Sequence, residues 1–184
     1  MELFWKVGYD AVSVRSLADA LSISQSSLYA AYGNKADLYL ETLAAFEREY
    51  RINEMSAVLT ATSLDEAVHT IIEAAIGRYT IKNKPRGCMI LSGRVADISG
   101  QRKLWLKLRD RRRGHSATLQ HIFSTWLPQD ASIAARYIFA VMIGLSGHAR
   151  DGLSAKELRQ FIDPTVAAVR SCSTPSLSEL KGPR

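Results

Sequence analysis

"SISQSSLYAAYGNK", residues Ser22–Lys35, is polar at its front, aromatic at its back, and lies between two segments of apolar helical periodicity. Ser24 is a natural N-cap, because a serine oxygen can accept an amide proton from the first helical turn. Gly33 closes the same helix, since glycine adopts the left-handed conformation in which helices commonly end. A short helix over 25–32 follows. Upstream, Ser13 caps a helix over 14–21 with Val14, Leu17, Ala18 and Leu21 on one face. Downstream, Asn34 caps a helix over 36–50 whose core candidates include Leu38, Leu43 and Phe46. Two short helices joined by a tight turn, the second opening on small polar side chains, form a helix-turn-helix pattern.

The rest of the chain is also helical in period. Ser63-Leu64-Asp65-Glu66 is a capping-box pattern that opens a helix over 64–79. Pro85-Arg86-Gly87 breaks the chain before a helix over 88–98. A long helix over 101–126 places Trp105, Leu108, His115, Leu119, Ile122 and Trp126 on its inner face. Further helices are expected over 131–149 and 154–171, the last kinked or broken by Pro164. No run alternates with the period of a strand. The expected fold is all-α, with a helix-turn-helix domain over 1–50, a larger helical bundle over 51–171, and a disordered Ser/Pro-rich tail over 172–184.

The 184 residues suffice for a buried core, and 47% hydrophobic content with five prolines argues for a folded chain. No signal peptide is apparent, and no window reads as a transmembrane helix, so a cytoplasmic location is expected. Two cysteines, Cys88 and Cys172, are too few for a disulfide framework. The four histidines (His69, His115, His121, His148) show no metal-ligand spacing. No nucleophile–base set, glycine-rich phosphate loop or metal cluster supports an enzyme, and no cofactor is called for. The net charge of +6 is unevenly spread. Residues 1–51 carry five Lys/Arg against seven Asp/Glu, whereas "QRKLWLKLRDRRRG" at 101–114 carries seven basic residues and one acid. That basic run reads as a solvated helix face, with a second nucleic-acid patch as the alternative.

A recognition helix lies in the DNA major groove with its first residues at base edges. Gln25 has the paired amide groups that read adenine, and Ser26 and Ser27 can bond bases or phosphates. Ser24 caps the helix and leaves its amino end favourable to phosphate. Leu28 and Ala31 are expected to face back to the preceding helix, Tyr29 and Tyr32 to offer hydroxyls, and Lys35 a charge. Taken by spacing alone, "SISQSS" also fits an ordinary polar helix start with no reading role.

The stretch Gly8–Phe46 resembles the DNA-binding domain of the TetR family of bacterial repressors. The resemblance rests on Gly8-Tyr9, Ser13-Val14-Arg15-Ser16-Leu17-Ala18, Ile23-Ser24 through Leu28-Tyr29, and Tyr32-Gly33-Asn34-Lys35. It implies a homodimer that binds a near-palindromic double-stranded operator and releases it when a small molecule enters the C-terminal bundle. By position, Ser13 and Arg15 would touch phosphate, Gln25, Ser26, Ser27 and Tyr29 would face the groove, and Tyr32 and Lys35 would clamp the backbone. The family's first helix extends further back than Met1. That departure keeps a second reading open, a helical ligand-binding and dimerisation protein with weakened operator binding.

The small residues of "ASIAARYIFAVMIGLSGHA" (131–149) allow close helix approach, and with 154–171 this segment occupies the place of the family's dimer interface. The alternative is an ordinary core helix. Cys88, at a helix start and flanked by Lys84 and Arg86, has the setting of an activated thiolate. Its "Pro-x-Gly-Cys-Met" turn resembles a branch of the family in which such a cysteine senses electrophiles or oxidants. A buried, inert thiol is the plainer reading. His115, with Trp105 and Trp126, could line an effector pocket, or His115 could be a satisfied core histidine.

Overall fold

The computed structural model describes residues 1–50, 56–93, 95 and 100–172. These form eleven helices and no strand among the described residues: α1 (Glu2–Ala11), α2 (Val14–Leu21), α3 (Gln25–Tyr32), α4 (Lys35–Glu49), α5 (Ser56–Leu59), α6 (Leu64–Tyr79), α7 (Met89–Ser92), α8 (Arg102–Phe123), α9 (Ala131–Arg150), α10 (Ala155–Arg159) and α11 (Ile162–Arg170).

Local chemistry places most of the boundaries. Ser13, Ser24, Asn34, Ser63 and Ser154 each accept an amide proton from the first turn of the helix they precede. Three expected helices differ from the sequence reading. The segment expected over 88–98 gives only the single turn of α7 before Gly93, and 94 and 96–99 lie outside the described residues. The long helix stops at Phe123, because Ser124 to Trp126 tighten into turns that bond back to Gln120, Ile122 and Phe123. The last helix is two helices. Pro164 sits in the first turn of α11, where its missing N–H has no intrahelical partner to lose, so the break falls before it at Gln160 and Phe161. The tail beyond Cys172 and the junction at 51–55 lie outside the described residues.

α6 is the central strut of the bundle. Ala67, Val68, Ile71, Ile72, Ala75, Ile76 and Tyr79 form a broad apolar stripe that meets α9, α10 and α11. α8 lies along α9 and buries Leu104 and Leu108 at one end and Leu119, Ile122 and Phe123 at the other. The middle of its inward side is polar, with Arg111, Arg112 and His115 all at least half-buried. α9 is long and apolar enough by composition to cross a membrane. Here its Ala134, Ala135, Ile138, Leu145, Ser146 and Ala149 side is packed in the bundle, between α8 and α6.

One apolar core runs without interruption from Phe4 to Val169. Its N-terminal part is aromatic: Trp5, fully buried, meets Phe46 and Tyr50 edge-on at 4.9 and 5.0 Å between ring centroids. The Trp5 indole N–H donates to the Gly87 carbonyl at 3.0 Å. Gly87 in turn donates its own N–H to the Tyr79 carbonyl at 3.0 Å, and the next amide, of Cys88, donates to Ser146 Oγ at 2.8 Å. The turn holding Gly87 is therefore clamped between α1, α6 and α9.

Gly87 has φ +78°, and a Cβ there would stand 2.7 Å from the Ser146 carbonyl oxygen. Gly152 has φ +105° with nothing within 4 Å of a Cβ. Gly87→Ala is therefore expected to destabilise the protein by about 2–5 kcal/mol, combining backbone strain with steric overlap. Gly152→Ala should cost only the backbone part, about 1–2 kcal/mol. Urea denaturation of both variants checks the contrast, and equal losses would contradict it.

Candidate nucleic-acid interface

α2 and α3 are joined by Ser22, left-handed at φ 53°, and the extended Ser24. Only Leu28 of α3 is buried, against the α2 and α4 side, and Gln25, Ser26, Ser27 and Tyr29 are all exposed on the outward side. Ala31, expected to face inward, is exposed. The inward contacts of α3 are made by Leu28 and, at its end, by the half-buried Tyr32, and Leu21 of α2 likewise stays 50% exposed.

The serines are organised by the cap. Ser24 Oγ accepts the Ser27 amide at 3.0 Å and lies 2.8 Å from both Ser26 Oγ and Ser27 Oγ. Ser24 is thus a structural member of the helix start, while Gln25 stands at the first helical position. Ser13 is engaged in a similar way, in a reciprocal cap with Ser16. Arg15, two residues on, is exposed.

Lys35 and Tyr32 flank the other end of α3. Gly8 breaks α1 at φ 83°, turning Tyr9 inward, and the Lys35 ammonium sits 4.2 Å from the centroid of the Tyr9 ring. Burial lowers the Lys35 pKa, with the Asp10 charge opposing. Tyr32 is half-buried in a groove it shares with Phe4, Leu17 and Leu38.

A cavity opens in the bundle between α6, α8 and α9. It offers about 70 Å³ to the centre of a water-sized sphere. Its walls are mostly apolar, with Ile71, Leu119, Phe139 and Met142 among them, and Arg78, Tyr79, Cys88 and His115 bring polar groups to it. Cys88 and His115 were expected in such a place. Trp105 and Trp126 are not at it: α8 turns Trp105 toward Arg102 and Arg109, whose guanidinium carbons lie 6.0 and 5.2 Å from its ring, and Trp126 falls past the helix end.

The activated-thiolate reading of Cys88 does not hold. Cys88 is 4% exposed, and burial pushes its thiol up, outweighing the amides of Leu91 and Ile90 that favour the thiolate. Its flanking cations are spent elsewhere, Lys84 on Glu2 at 2.8 Å and Arg86 on the carbonyls of Leu153 and Ala149. The Arg109–Arg113 run is likewise more than a solvated face. Arg111 pairs with Glu47 of α4, and Arg112 donates to the Gly93 carbonyl at 3.2 Å. His115 Nε2 lies 3.4 Å from the other Glu47 oxygen. Burial holds the His115 pKa below its ordinary value, against the pull of Glu47. Glu47, Arg78 and Tyr79 were not legible as site residues, because their partners lie far along the chain.

The family model "Bacterial regulatory proteins, tetR family" matches residues 1–42. The HTH-type transcriptional repressor BdcR of Escherichia coli (strain K12) is 30% identical over 158 residues, spanning 85% of this chain and 78% of that protein. The HTH-type transcriptional repressor ComR of the same organism is 25% identical over 174 residues, spanning 90% of this chain and 83% of that one. In fold, the chain resembles a cysteine mutant of the TetR family regulator CifR complexed with 26 bp operator DNA. The TM-score is 0.82 at 23% identity, covering 91% of each chain. The protein belongs to the TetR family. It is a DNA-binding transcriptional regulator and not an enzyme.

Removing the α3 cap tests the local reading. Ser24→Ala should cost about 1 kcal/mol of stability, whereas Gln25→Ala, with an exposed side chain, should stay within about 0.5 kcal/mol of wild type. Thermal denaturation of the two single variants measures both.

Proposed function

We propose that this protein is a ligand-responsive repressor that binds a palindromic operator as a homodimer in the cytoplasm. Residues 1–50 act as the DNA-reading unit and 51–171 as the effector-binding and dimerisation unit. The observation that carries the reading is Glu47. It stands on α4, the helix that follows the recognition helix, and its two oxygens engage Arg111 and His115. His115 is also a wall of the cavity. A molecule in the cavity that moves His115 therefore acts directly on the helix that positions α3. A ligand favouring one placement of α4 shifts the population of the operator-competent state by its differential affinity.

In the complex, Gln25 reads a base edge, and Ser26, Ser27 and Tyr29 contact bases or phosphates beside it. Ser13, Arg15, Tyr32 and Lys35 serve the backbone, with Ser24 holding the helix start. The outward side of α9 supplies the dimer surface. Ile133 and Tyr137 are 51% and 37% exposed on the same side as the small Ala140 and Gly144, which leave room for a close-packed helix. Phe161, 39% exposed and stacked on His148 at 5.8 Å, extends that surface between α9 and α11. An apolar stripe of this kind on a helix already packed on its other side is the mark of a partner interface.

Selection of bound duplexes from a random pool, at stated salt, tests operator reading. Wild type should enrich a palindrome. Gln25→Ala should weaken binding about 5- to 150-fold and relax one base position in each half-site. Lys35→Ala should weaken all sequences alike and reduce the salt slope by about one per half-site. Absence of any enrichment would favour the second reading, a dimeric ligand-binding protein with little grip on DNA.

Tyr137→Glu places a charge in the α9 stripe and should convert the dimer to monomer in sedimentation velocity without unfolding it. A wild-type monomer, or a variant that remains dimeric, would contradict this interface.

A further inference from the structure

The cavity walls contain donors that nothing in the fold uses. The Tyr79 hydroxyl is buried with no hydrogen-bond partner, on a side chain only 2% exposed. The neighbouring Arg78 has a buried Nε that is also unpartnered, and no carboxylate among the described residues lies within ion-pair distance of its guanidinium. Three other arginines of the bundle are matched by carboxylates, Arg111 with Glu47, Arg159 with Glu73 and Arg170 with Asp65, while Arg150, whose Nε is likewise unpartnered, spends its Nη2 on the Trp5 carbonyl. Buried donors are nearly always satisfied, and a cation beside an apolar wall calls for an anion.

The polar groups of the cavity gather round this arginine. Burial is the main influence on Tyr79, Cys88 and His115, and after it each also feels the Arg78 charge. Burial keeps the Tyr79 phenol protonated, so that it can only donate to a negative group, and lowers the His115 pKa. Apart from Thr70, the rest of the wall is apolar, with Ile71, Leu119, Phe139 and Met142 among its residues. A cavity of about 70 Å³ suits a compact molecule, since a single water occupies about 10–15 Å³ of such space.

We propose that the effector is a small organic acid with an aromatic or branched body, whose carboxylate is bound by Arg78 and the Tyr79 hydroxyl inside this cavity. The proposal rests on the reading of the cavity as the effector site. A carboxylate is favoured over a neutral carbonyl because it accepts from a guanidinium and a phenol at once and neutralises the buried charge. A cationic ligand would meet Arg78 directly and is disfavoured. The carboxylate would also stand near His115, so its arrival bears on the His115–Glu47 contact to α4.

Calorimetry on the full chain with benzoate, benzyl alcohol and benzylamine tests this. The three share a ring and differ in head charge. Benzoate should bind about 10- to 100-fold more tightly than benzyl alcohol, the range expected of hydrogen bonds to a charged group, and benzylamine should not bind. Arg78→Met should abolish the preference while leaving benzyl alcohol binding in place, and Tyr79→Phe should reduce it several-fold. Arg78→Lys, which keeps the charge but loses the Nε donor, should retain part of the preference and serves if the methionine variant does not fold. Ala74→Leu, at an exposed position on the cavity wall, should weaken all binding there. Equal affinity for benzoate and benzyl alcohol, both lost in Ala74→Leu, would overturn the acid assignment and leave the cavity as the effector site. Benzoate binding that survives Ala74→Leu would place the anion elsewhere and also overturn it. No binding by any of the three would overturn both.

Discussion

The structure depends on the way Trp5 is held. Its indole donates to Gly87, its own carbonyl receives Arg150 Nη2 at 2.9 Å, and its ring fills the space between Phe46 and Tyr50. Burying a tryptophan contributes about 4–6 kcal/mol by area alone. The same residue therefore ties α1 to α4, to the turn before α7, and to the end of α9. Without it the helix-turn-helix segment would be oriented on the bundle by the smaller apolar contacts of Phe4 and Tyr39, the Glu47 contact, and surface pairs such as Lys84–Glu2 and Gln101–Asp10. Exposed pairs of that kind contribute little.

Against that rigid joint, the contact through Glu47 is polar and adjustable. Arg111 and His115 approach one carboxylate from α8, and burial lowers the His115 pKa against the carboxylate's attraction. A polar contact of this type can be exchanged for another without opening an apolar core. The structure thus combines an aromatic anchor at Trp5 with a polar contact at Glu47, both meeting α4, whose fifteen residues follow α3.

The helix-turn-helix segment is unusual in its charge. Residues 1–51 are net acidic by count, yet Arg15 and Lys35 lie close to the recognition helix. Lys35 is steered by the Tyr9 ring and partly desolvated, which would reduce the entropy lost on meeting a phosphate in the proposed complex. With few cations available, the proposed complex would draw more of its affinity from helix-terminal amides, hydroxyls and base contacts than from counterion release. The basic surplus on α8 is partly consumed inside the molecule, by Glu47 and by the Gly93 carbonyl.

Local chemistry determined what the sequence by itself could show. Caps, turn glycines and apolar periodicity act over a few residues, so Ser13, Ser24, Asn34 and Ser154 are found where their spacing puts them, and the helix-turn-helix and the all-α class are legible. Where a residue's role is set by a distant partner, the sequence was silent or misleading. Cys88 looks activated beside Lys84 and Arg86, but folding gives those cations other partners and buries the thiol. Trp105 and Trp126 share the apolar period of α8, yet the cavity opens where α6 and α9 meet its middle, at His115 and Leu119. Glu47, Arg78 and Tyr79 acquire their meaning only from packing, because which charge is satisfied and which donor is left facing a cavity depends on contacts between helices that are far apart in the chain.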